Sequence, residues 1–135
     1  MDAAALQASL DQLGADYVKR LGLVVRDARP GHVVLELPVT PELVHGGGVL
    51  CGQAILAAAD TAFLLAMIAQ LGEFRPMTTV QLQASFVRPV PRDATHVGVV
   101  ASVLRPGKTL SYGEVRFTTA DGRLAAHATT TYALI

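Results

Sequence analysis

A chain of 135 residues, 51% hydrophobic and 16% charged, is long enough for one domain with a substantial core and too apolar to be disordered. Its 11 basic residues balance 11 acidic ones with no block of either sign, which removes the electrostatic basis for binding DNA or RNA. The single cysteine, Cys51, excludes an intrachain disulfide and a cysteine-based metal cluster.

The N-terminal stretch carries Asp2 and Asp11 and no basic leader region, so it does not read as a signal peptide, and a cytoplasmic protein is expected. Leu6, Leu10, Leu13, Tyr17, Val18 and Leu21 recur at spacings of three and four, which predicts one amphipathic helix stopped by Gly22. "LVVRDA" and "HVVLELPV" flank Arg29-Pro30-Gly31 and predict a hairpin. "TPELVHGGGV" reads as an irregular loop, and a long helix follows from about Gly52 to Leu71. Residues 54–71 approach the roughly 20 residues of a membrane span. Asp60 and Gln70 interrupt them, which predicts the buried helix of a soluble fold and no membrane partner. From Met77 the period becomes two, with Val80, Leu82, Ala84 and Phe86 on one face and Thr79, Gln81, Gln83 and Ser85 on the other. "THVGVVASVLR", "TLSYGEVRFTTA" and "RLAAHATTTYALI" complete four strands in meander, the last turn marked by Asp121-Gly122. The sum is an α+β chain, one domain over residues 1–135. A curved antiparallel sheet of about six strands wraps around one long central helix. The apolar excess in so small a domain predicts an oligomer.

Asp60 is the anomaly. Its neighbours at three and four residues along the helix are Leu56, Ala57, Phe63 and Leu64, all apolar. A buried carboxylate without a partner is very costly, so Asp60 must meet a structural partner, water or a substrate, and the residues alone leave these open. Gly46, Gly47 and Gly48 supply either a turn or a close backbone approach to a ligand, just before a helix start whose free N–H groups polarise a carbonyl or bind an anion. Gly52 and Asp60 are eight residues apart, about 12 Å along a helix. One small carbonyl cannot touch both. Either the two act separately, or a second copy of the chain brings its Asp60 beside this chain's Gly52.

The pattern resembles the hotdog-fold thioesterases of the phenylacetyl-CoA (PaaI-like) group, whose motif runs Asn-x-x-Gly-x-x-His-Gly-Gly with an acid nine residues after the His. Nine residues before Asp60 stands Cys51, so "CGQ" occupies the His-Gly-Gly place, His45 the motif Asn and Gly48 the motif Gly. Taking His45-Gly46-Gly47 as the triplet instead leaves fifteen residues to Asp60, six too many. Downstream, "TTVQLQASFVRPV" looks like the family's central strand, "VLRPGKTLSYGEV" like its hairpin, and "ADGRLAAHATTTYAL" like its closing strand. The likeness covers about residues 35–135, with His45, Cys51 and Gln53 departing from the motif.

The resemblance implies an acyl-CoA thioesterase that needs no metal and no cofactor, CoA being part of the substrate. It makes Asp60 the base that activates water or the nucleophile, and the Gly52 amide the group that polarises the thioester carbonyl. Thr79 stands where the family places a Ser or Thr beside the site, and His45 replaces the Asn as a titratable hydrogen-bonding group. Gly48, Cys51 and Gln53 border the substrate, and Arg88, Arg105 and Lys108 are candidates for the CoA phosphates. Cys51 also invites a nucleophile reading at a helix N-terminus, against the commoner role of a packing residue. His32, His96 and His127 show no ligand spacing and read as surface histidines. Phe63, Met67, Met77 and Phe86 read mostly as core. A homodimer pairing Gly52 of one chain with Asp60 of the other is expected, and the resemblance implies that two such dimers pair into a tetramer. Two other readings stay open: an acyl-CoA binding protein without turnover, and a hotdog hydratase or dehydratase.

Overall fold

The structure, a computed structural model, describes residues 1–135. Helix α1 (Ala3–Leu13) is capped by Asp2, whose carboxylate accepts the Ala5 amide at 2.9 Å. The single helix expected up to Gly22 is instead broken. Gly14 and Ala15 turn extended, and the four-residue helix α2 (Asp16–Lys19) starts again at an angle. Gly14 closes α1 so tightly that a side chain there would begin 2.8 Å from the Leu10 carbonyl. As a result Leu13 and Tyr17, assigned by spacing to the buried stripe, stand about half exposed, while Leu6, Leu10 and Leu21 are buried.

Strands β1 (Val24–Arg29) and β2 (His32–Pro38) form the expected hairpin. The loop after them contains one 3-10 turn, Pro41–Leu43, before helix α3 (Gly52–Leu71). Alanine, leucine and methionine favour this helix, and Gly72 ends it in the left-handed conformation, its amide bonded to the Ile68 carbonyl. Strands β3 (Met77–Phe86), β4 (His96–Arg105), β5 (Leu110–Thr118) and β6 (Leu124–Leu134) follow. They are not a meander. The antiparallel sheet runs β1-β2-β4-β5-β6-β3, so β4, β5 and β6 are consecutive neighbours, while β3 lies beyond β6 at the far edge. The connection from β3 returns across the molecule to β4, tied down by Leu50 to Val90 and Val39 to Thr95 backbone bonds.

The inner face of the sheet buries Val33, Leu35 and Leu37 of β2, Val97, Val99 and Ala101 of β4, and Val115 and Phe117 of β5 against α3. This is the two-layer core that strict alternation in β2, β4 and β5 predicts. The membrane-length apolar run is thereby buried inside the fold. In β3 a bulge at Val80 shifts the alternation: Thr79 pairs with Tyr132 and Gln81 with Thr131. Period two placed Val80 inside with Leu82 and Ala84; the bulge turns it out, 58% exposed, and puts Thr79 on the inner side with them.

The two sheet edges differ. Along β1 the Gln7 side chain of α1 takes the part of a neighbouring strand, donating to the Leu23 carbonyl (3.2 Å) and accepting the Val25 amide (2.8 Å). The β3 edge carries no such cover.

Candidate active site

Asp60 reaches the sheet at one cross-strand pair. Thr79 of β3 and Tyr132 of β6 are register partners, so both side chains rise from the same point of the inner face toward α3. The Thr79 hydroxyl donates to Asp60 Oδ1 at 2.7 Å, and the Tyr132 hydroxyl lies 2.6 Å from the same oxygen and 2.7 Å from the Asp60 carbonyl. Oδ2 has no hydrogen-bond partner in the chain and is open to solvent. The carboxylate is thus half anchored and half free.

Tyr132 is 3% exposed, and burial, followed by the adjacent Asp60 carboxylate, holds its phenol well above the usual 10.0. It is therefore a neutral donor throughout the physiological range. Its ring meets Phe63 edge-on, with centroids 5.0 Å apart at 64°. Phe63 in turn presses on Gly113 of β5, where a side chain would begin 2.2 Å from the ring and 2.3 Å from the Ser102 carbonyl. Only glycine fits there, and its absent side chain fixes Phe63 and through it Tyr132.

Sequence reasoning named Thr79 but missed Tyr132. A signal was present: Ala126, Ala128, Thr130 and Tyr132 share the inward parity of β6, and a buried tyrosine needs a partner for its hydroxyl. Asp60 is the one ionisable residue of α3.

Asp60 and Tyr132 form one end of a cavity of about 180 Å³ between α3 and the N-terminal helices, with Leu10, Leu13, Val18, Leu64 and Ile68 on its walls. Gly52 lies elsewhere. It opens α3 in a cleft with Leu50, Ile55, Phe86 and Arg88. Cys51 is the N-cap residue and supplies no side-chain bond, so the amides of Gly52, Gln53 and Ala54 have no acceptor in the chain. The Phe86 ring covers Gly52 so closely that a side chain there would begin 3.3 Å from Phe86 Cζ. Phe86, read as core, is 53% exposed. One chain therefore does not bring Gly52 and Asp60 into one pocket.

The remaining candidates divide between these regions. Gln53 is exposed on the first turn of α3 and Cys51 is half-buried. Arg88, bonded to the Leu124 carbonyl at 2.9 Å, belongs to the Gly52 cleft. Arg105 ends β4 and Lys108 sits on the exposed β4–β5 turn, at the end of the sheet where Ser111 pairs with Tyr132. His45 is not among the residues lining the Asp60 cavity. Its Nδ1 accepts the Gly47 amide at 2.8 Å, and it lines a third pocket with Gly46 and Arg92. Gly48 adopts a φ of 83°, and the Arg92 guanidinium lies over it, 3.0 Å from where a side chain would begin. The three remaining histidines are half-buried on the outer face, each with a partner. His32 meets Ser102, His96 meets Glu36, and His127 meets Glu114 at 2.7 Å.

A family model described as the thioesterase superfamily matches residues 45–126, more than half of the chain. The chain belongs to the thioesterase superfamily. A "Putative esterase" of Saccharolobus solfataricus is 32% identical over 115 residues, covering 84% of this chain and 80% of that protein. Among solved structures, zebra fish thioesterase superfamily member 2 is 25% identical with a TM-score of 0.85, over 98% of this chain and 95% of that one. The E. coli PaaI protein from the phenylacetic acid degradation operon has a TM-score of 0.85 at 20% identity, over 98% and 93%. A hypothetical thioesterase protein of Streptococcus pneumoniae, solved with coenzyme A, has a TM-score of 0.77 at 20% identity, over 84% and 85%. The six-stranded sheet around one helix is accordingly the hotdog fold of these superfamily members.

Proposed function

We propose that this superfamily member is an acyl-CoA thioesterase whose site is completed by a second copy of the chain. The observation that carries the reading is the half-anchored carboxylate. Thr79 and Tyr132 hold Oδ1 and leave the lone pairs of Oδ2 unspent, and Asp60 lines a cavity. As a base, Oδ2 takes a proton from water while the water oxygen bonds to the thioester carbon. The carbonyl oxygen gains the charge and accepts the free Gly52 amide of a second chain. Collapse breaks the C–S bond, and the thiolate leaves with the proton held by Asp60. As a nucleophile, Oδ2 attacks the carbon itself and expels the CoA thiolate, and water then hydrolyses the mixed anhydride to the free acid and the restored Asp60 carboxylate. The separation of Gly52 and Asp60 into different clefts supports the two-chain arrangement. The S. pneumoniae structure holding coenzyme A supports CoA as the carrier. Arg88 on the Gly52 side and Arg105 and Lys108 on the Tyr132 side are the cations available to its phosphates.

Thiol release from a panel of acyl-CoAs tests this. Asp60→Asn keeps the shape and both donors' partner oxygen, and turnover is expected to fall at least about a hundredfold. Equal rates in the two proteins, or acyl-CoA binding with no turnover in either, would sink the hydrolytic reading.

A further inference from the structure

The cavity beside Asp60 has walls that hydrolysis itself does not use. Leu64 and Ile68 come from α3, whereas Leu10, Leu13 and Val18 come from the N-terminal helices, outside residues 45–126 matched by the superfamily model. The break at Gly14 places Leu13 and Val18 on different helices around one space, and Leu13, 47% exposed, forms part of its rim. The hydroxyls on the walls have already committed their protons: Ser9 to the Ala5 carbonyl at 3.1 Å, Thr61 to the Ala57 carbonyl at 2.8 Å, and Tyr132 to Asp60. A carboxylate or carbonyl on a ligand finds no side-chain donor there, and Asp60 repels a second negative charge.

We propose that α1 and α2 gauge the acyl group: the cavity takes a compact, uncharged, apolar acyl chain, with Leu13 and Val18 setting its upper size. The inference rests on the thioesterase reading and adds the substrate class. Size follows from volume. An apolar cavity of about 150 Å³ accommodates benzene, so about 180 Å³ takes one aromatic ring or an aliphatic chain of similar bulk.

Two readouts separate this inference from the reaction. The first is kcat/KM for acetyl-, hexanoyl-, benzoyl-, succinyl- and dodecanoyl-CoA. The second is calorimetric binding of the matching CoA thioethers, which cannot be hydrolysed. The wild type is expected to favour the hexanoyl and benzoyl groups over the succinyl and dodecanoyl ones in both. Val18→Phe, which fills the cavity, lowers the hexanoyl-to-acetyl ratio at least about tenfold, the reach of one or two methylenes in an apolar pocket. Leu13→Ala opens the rim and raises the dodecanoyl-to-hexanoyl ratio by a similar factor. Leu13 is half exposed, so this variant keeps the test decisive if Val18→Phe does not fold. A preference that neither variant moves in turnover or binding overturns the gauge. Graded, variant-sensitive binding without turnover in any protein retains the gauge and refutes hydrolysis.

Discussion

At Asp60 the proposed chemistry depends on an asymmetry between two oxygens of one carboxylate, and Tyr132 supplies half of it. Tyr132→Phe keeps the ring against Phe63 and removes only the donor. Turnover is expected to drop between about ten- and a hundredfold with little change in KM, because a loosened carboxylate misplaces the reacting oxygen. Rescue of neither kcat nor the pH profile by Thr79 alone would confirm that the phenol positions Asp60. Stability should fall by about 1.5–3 kcal/mol for one lost hydrogen bond to a charged acceptor. The same substitution has a pH signature. The folded phenol sits above its unfolded value of 10.0, so its contribution is complete below pH 10 and is lost as pH rises above it. Denaturation midpoints of the wild type should therefore fall more steeply above pH 10 than those of Tyr132→Phe. Asp60 was legible in the sequence because a charge inside an apolar helix demands a reason. Thr79 was legible only through family resemblance, since period two placed it on the opposite face from Leu82. Tyr132 was overlooked because a tyrosine in a strand is ordinary until its partner across the fold is known.

Helix α3 and the hairpins could be read from local pattern, since spacing, turn residues and alternation are properties of neighbours in the chain. The place of β3 could not. Its pairing with β6 joins residues about fifty apart, and no local signal distinguishes that edge from one beside β4. The Val80 bulge and the break at Gly14 were hidden for a related reason: each is decided by packing, which overrides a short-range period. Packing also sets the limits on substitution. Gly113→Ala should lower stability by about 1–3 kcal/mol, the usual range for overpacking, because both the Phe63 ring and the Ser102 carbonyl occupy the new methyl's place. Urea denaturation measures this, and an unchanged midpoint would refute the claim that Gly113 fixes Phe63.

At the scale of the whole molecule, the proposed two-chain site predicts complementation. Gly52 is the first residue of α3, where the backbone accepts proline once the half-exposed Phe86 ring shifts aside, and proline removes the one N–H assigned to the thioester carbonyl. Gly52→Pro and Asp60→Asn should each be nearly inactive alone. Refolded together, they form mixed dimers with one intact Gly52–Asp60 pair, and about a quarter of wild-type activity should return for random pairing into twofold dimers. No recovery in a mixture shown by mass spectrometry to contain mixed dimers would mean that one chain carries the whole site. The exposed Val80 and Phe86 of β3, with Val87 just beyond its end, offer an apolar surface for such pairing. The Gln7 side chain then acquires a meaning beyond holding α1 in place. A sheet with two open edges can add copies without end, and that is how fibres grow. Here the outer edge of β1 is occupied at Leu23 and Val25 by a side-chain amide standing in for a peptide group, and beyond it lie Arg26, Asp27 and Arg29. If chains associate edge to edge, β3 is the border left for it, and a pair made that way leaves no bare sheet edge for a third copy to extend.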